Sequence, residues 1–170
     1  MYWTKKHVVV CTASHCAQKG ANEMIGKLRL EVIRRRADTE ILVNNCGTID
    51  LCDIGPNLVI YPDNIILSAV KATDVKALFA YLTGDGDMSE FVTGPETPAE
   101  QLRRTFYLEV TGKDQPLPEA DFIAIAGQHG FDGAWIDEQA RRGFIARKST
   151  QDTGETMVSV TSKSTHRYSL

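Results

Sequence analysis

Residues 40–69 read EILVNNCGTIDLCDIGPNLVIYPDNIILSA, and apolar runs alternate there with turn chemistry. Residues 40–45 (EILVNN) have the composition of a strand. A cysteine-bearing loop, 46–56, follows, and 57–61 (NLVIY) reads as a second strand. Pro62, Asp63 and Asn64 have turn chemistry, and residues 65–69 return, so the last two runs form a hairpin. Upstream, the β-branched run 7–11 (HVVVC) reads as a buried strand. After a loop, a helix is predicted over 20–37, because Ala21, Met24, Ile25, Leu28 and Val32 fall on one stripe. Arg34, Arg35 and Arg36 sit in its last turn, where positive charge suits the helix dipole, and read as a solvated helix end. Downstream, Thr73 is the expected N-cap of a helix with Val75, Leu78, Phe79 and Leu82 on one face, ended by Gly84.

The order β-α-β-β-β-α makes one sheet with helices packed against it, an α/β (α+β) fold, over residues 1–84. Residues 85–97 are rich in Gly, Pro and acidic side chains with little periodicity and read as a linker. Residues 98–170 read as a smaller α+β module. Helices are expected over 98–110 (Leu102, Phe106 and Val110 inward), from Pro118 through Ile123 and Ile125 to Gly127, and over 133–142 (Trp135, Ile136 and Ala140 inward). Strands are expected over 144–148 and 156–162, around a turn at Gln151, Asp152, Thr153 and Gly154. Helices followed by a hairpin are similar in topology to a small winged-helix domain. Arg141, Arg142, Arg147 and Lys148 could touch phosphates, but Asp132, Asp137 and Glu138 on the same helix and its approach would repel them. A protein-docking role is therefore expected ahead of nucleic-acid binding.

Composition agrees with a folded chain. Of 170 residues, 42% are hydrophobic and 24% charged, near the globular average. A net charge of −3 points to neither nucleic acid nor an acidic membrane as partner. The run Val8 to Val10 is far too short for a signal peptide, and no stretch approaches the roughly 18 apolar residues of a membrane span. The chain is expected to be soluble and cytoplasmic, where structural disulfides are disfavoured and cysteines serve metal binding or redox chemistry.

All 4 cysteines fall before residue 53, as C-x4-C (Cys11, Cys16) and C-x5-C (Cys46, Cys52). Cys11 and Cys46 end predicted strands; Cys16 and Cys52 lie in the loops that follow. Neighbouring strands ending at one sheet edge bring both loops together and surround a point with four thiolates. Such a set suits a [2Fe–2S] cluster, two sulfurs to each iron. Structural zinc also takes four thiolates, usually at tighter spacings within each pair. A thioredoxin-type dithiol needs C-x-x-C opening a helix, and C-x4-C is too wide. His15 could in principle replace a cysteine, but a solvent-facing or supporting place is the expectation. Lys19 and Asn22 could place donors near the sulfurs, and Asp50 and Asp53 flank Cys52 as a candidate acidic docking edge.

The segments HVVVCTASHCAQKGANEM and CDIGPNLVIYPDNIILSAVKATDVKAL make the chain similar to the thioredoxin-like [2Fe–2S] ferredoxins and the related small cluster-bearing subunit of NADH dehydrogenases and hydrogenases. C-T-x-x-x-C resembles the dehydrogenase subunit; C-x-x-G-P running into an apolar strand and Y-P resembles the free ferredoxins. The family's second pair is usually C-x3-C, so the Cys46–Cys52 loop is two residues longer here. The resemblance implies a thioredoxin-like domain with a [2Fe–2S] cluster on Cys11, Cys16, Cys46 and Cys52. It implies single-electron transfer with redox partner proteins, a flavoprotein or metalloenzyme, and leaves a homodimer open. No phosphate loop or catalytic triad has a recognisable context, so the chain is not expected to be an enzyme by itself. A non-redox zinc-binding adaptor, and an accessory subunit of a larger redox complex, are the competing functions.

Overall fold

A computed structural model describes residues 3–151 and 154–170. The central part of the expected turn, Asp152 and Thr153, lies outside the described residues. The chain divides into two units, Met1–Gly94 and Pro95–Leu170.

In the first unit the valine run forms β1 (Lys6–Cys11), with Val8 and Val10 fully buried. Next come a short helix α1 (Ser14–Gln18) and the long helix α2 (Ala21–Arg34). The segment carrying Cys16 was expected as a loop and is instead a helical turn. At five residues it is too short to show periodicity. Gly20 separates the helices at φ 93, a left-handed conformation that glycine adopts without steric penalty. The five residues of the predicted stripe are the buried face of α2, which ends three residues earlier than expected, before Arg35.

β2 (Ile41–Cys46) runs parallel to β1, while β3 (Leu58–Tyr61) and β4 (Ile65–Leu67) form the expected hairpin, with β3 antiparallel to β1. α3 (Val75–Thr83) starts one residue later than predicted: Asp74, not Thr73, holds the N-cap, and its carboxylate accepts the Lys71 N–H at 2.8 Å. Gly84 ends α3 in the left-handed conformation, as expected. Within the stretch read as a linker, a 3-10 turn (Ser89–Phe91) leads into β5 (Val92–Thr93), which pairs with β4. The sheet order is β2-β1-β3-β4-β5. A two-residue edge strand has no room for an alternating pattern, so the sequence gives no sign of it. α2 packs on α3, β1 and β2, and the core joins Met24, Leu28, Leu58, Ile60, Leu67 and Leu78.

The second unit has its own core. α4 (Pro98–Thr111), β6 (Leu117–Pro118), α5 (Glu119–Gln128), α6 (Gly133–Arg141), β7 (Ile145–Ser149), β8 (Thr156–Val160) and α7 (Ser162–Tyr168) follow in order, with strands arranged β6-β8-β7. Phe106, Tyr107 and Val110 turn inward from α4, whereas Leu102, expected inside, is 43% exposed. On α5 the buried residues are Phe122, Ile125 and Ala126, and Ile123 faces out. α7 was not expected, because SKSTHRY has no apolar period. It is anchored instead by Ser164 Oγ donating to the Phe144 carbonyl at 2.6 Å and by Tyr168 stacked on Tyr107 at 4.9 Å. Thr161 precedes this helix, so β8 stops at Val160. On α6, Asp137 receives a hydrogen bond from Arg147, and Glu138 pairs with Arg141. Among the described residues no helix is long and apolar enough to cross a membrane.

Candidate metal centre

Parallel pairing of β1 and β2 puts Cys11 opposite Cys46 in register at the same end of the sheet. The chain leaving β1 turns at once into α1, which brings Cys16 back over that end. The loop after β2 carries Cys52 beneath the same point. Cys11, Cys16 and Cys52 are buried, and their sulfurs all lie within 4.8 Å of one another. Cys11 Sγ and Cys52 Sγ are 3.5 Å apart. Cys46 is half-buried and stands outside this tight group, although its thiol feels the electrostatic influence of Cys11 and Cys52. All four are free thiols.

The surrounding chain fixes these positions. Thr12 donates twice to the Cys46 carbonyl, from N–H and from Oγ1, each at 3.0 Å. Lys19 Nζ donates to the carbonyls of Cys52 (3.1 Å) and Asp53 (2.8 Å), so its role is to hold the loop rather than to touch sulfur. Gly55 is required for space: a Cβ there would stand 2.6 Å from Cys16 Sγ. Thr48 Oγ1 accepts the Asp50 N–H at 2.9 Å and lies 3.8 Å from Cys52 Sγ. His15 is half-buried and is not part of the thiol group, while Asn22 and Asp50 are exposed.

Burial, followed by hydrogen bonds with Cys11 and Cys52, pushes the Cys16 thiol well above the ordinary range. Burial first, then repulsion from Cys11, raises Cys46 as well. Neutral thiols are the comfortable state of this site without a cation; a bound cation would displace the protons and take the sulfurs as thiolates. No carboxylate or imidazole belongs to the group, and an all-sulfur donor set selects soft metals, zinc or iron–sulfur centres over calcium or magnesium.

Asn57 is the residue the sequence reading missed. It is fully buried, its Nδ2 faces Cys16 Sγ at 3.9 Å, and its main-chain carbonyl accepts the Cys11 N–H at 2.9 Å. The signal was available in principle, since an Asn opening the otherwise apolar run NLVIY is out of pattern.

An α/β domain that gathers buried cysteines at one end of its sheet defines a soft-metal-binding protein. No family model matches the chain. Over 82 residues it is 30% identical to the protein "Ferredoxin, 2Fe-2S" of Clostridium pasteurianum, covering 44% of this chain and 80% of that one. The structure of a thioredoxin-like [2Fe–2S] ferredoxin from Aquifex aeolicus matches with a TM-score of 0.50 and 25% identity, over 56% of this chain and 96% of that chain. The chain belongs to the thioredoxin-like [2Fe–2S] ferredoxin family.

Proposed function

We propose that the protein is a single-electron carrier whose [2Fe–2S] cluster is held by Cys11, Cys16, Cys46 and Cys52. The observation that carries this reading is the meeting of three buried sulfurs within 4.8 Å, with Cys46 delivered beside them by strand register. When bound, the cluster supplies a centre that gains and loses one electron. The chain's own task is to keep the sulfurs converged and to limit water at the three buried ligands. Lys19 and Thr12 support this by fixing the backbone at Cys52 and Cys46. The partners that fit are redox proteins, a flavoprotein or metalloenzyme, and residues 95–170 are suited to selecting among them or to seating the chain in a larger redox complex.

Purification without air tests the assignment. Iron and sulfide in equal amounts, visible absorption, and an EPR signal on reduction are expected. A colourless protein carrying zinc and no sulfide would refute the cluster. Cys52→Ser and Cys46→Ser should each lose the cluster or change its spectrum; an unchanged spectrum in either removes that residue from the ligand set.

A further inference from the structure

Asn57 is a buried polar side chain in a place that a leucine of similar size would fill. Its Oδ1 is buried with no hydrogen-bond partner, which costs on the order of 1–3 kcal/mol. An unpaired buried acceptor calls for an explanation beyond packing. The amide's other end supplies one. Nδ2 carries two N–H bonds: one is used on the Leu51 carbonyl, in the loop leading to Cys52, and the other faces Cys16 Sγ. Through its main chain the same residue also holds Cys11. It therefore touches the segments of three of the four cysteines.

We propose that Asn57 sets the reduction potential of this centre by donating a side-chain N–H to the Cys16 sulfur. The inference rests on the cluster reading above. One-electron reduction by a partner adds negative charge to the centre and to its ligand sulfurs. A hydrogen-bond donor stabilises the reduced state more than the oxidised one and so raises the potential. Burial strengthens the effect, because the local dielectric is low and water does not compete. Thr48 has a weaker version of the same geometry at Cys52, in a more exposed position.

The test is an anaerobic dye-equilibrium titration of the full-length protein and its Asn57→Leu variant. The variant should keep a [2Fe–2S] spectrum while its midpoint falls, with about a tenfold change in the one-electron equilibrium constant (~59 mV). Thr48→Val should shift it in the same direction by less. A purely structural Asn57 would lower the urea midpoint and leave the potential where it was, and that result overturns the proposal. If Asn57→Leu does not load, the isosteric Asn57→Asp, which loses the N–H and adds negative charge, should load with a larger fall. An unchanged potential there, or loss of the cluster from both variants, overturns it in favour of a role in assembly. Unmodified protein without iron and sulfide would instead refute the electron-carrier reading and take this inference with it.

Discussion

Cys16 makes the metal-free protein sensitive to alkali. Its proton is held more tightly in the folded chain than in the unfolded one, chiefly because the sulfur is buried. The stabilisation from that difference is complete below the ordinary thiol value, about 8.5, and is lost as pH rises above it. For protein freed of metal, the urea midpoint should fall as pH is raised from about 8 to about 10, and Cys16→Ala should flatten the decline. A midpoint indifferent to pH would contradict it. At this scale the cysteines were legible because their spacing and strand-end positions leave a pattern in the sequence. Asn57 and Gly55 were not, because what they do depends on which sulfur they meet. Lys19 was singled out for the wrong contact: it was expected near sulfur and reaches two carbonyls instead.

Between elements, Lys19 is the tie from the end of α1 to the Cys52 loop. Lys19→Met keeps the aliphatic stem and deletes both hydrogen bonds. Each bond is worth about 1 kcal/mol, and an exposed lysine lies at the low end of that range. Faster amide exchange at residues 52–55 is expected, with a stability loss of about 1 kcal/mol; unchanged exchange would show that the loop holds itself. The long periodic elements, α2, α3, α4 and the β3–β4 hairpin, were legible because a stripe or an alternation repeats often enough to be seen. α1, β5, β6 and α7 were not, because they span two to seven residues and are fixed by partners rather than by their own pattern.

Over the whole molecule, separate cores imply separate stabilities. Residues in the first unit pack around Leu28, Ile60 and Leu78, and those in the second around Phe106, Phe122 and Phe144. Glu100, only 8% exposed, accepts from Arg103 and from Arg167 at 3.0 and 3.2 Å, tying α7 to α4. Glu100→Ala would leave two largely buried guanidinium groups without their carboxylate, a loss of about 3 kcal/mol. Unfolding followed at the second unit's Trp135 should shift by that amount, while the visible spectrum and its own transition stay put. A joint shift of both would show that the two units unfold as one.

The in-register pairing of β1 with β2 also decides when the thiols can meet. Cys11 and Cys46 become neighbours only after the intervening α2 has been laid down and the parallel crossover closed. Cys52 arrives later still, on the loop before β3. Contacts so distant along the chain form after local structure, because loop closure opposes them until the sheet repays it. The coordination sphere is therefore a product of folding rather than its nucleus, and loading belongs to the end of the protein's maturation.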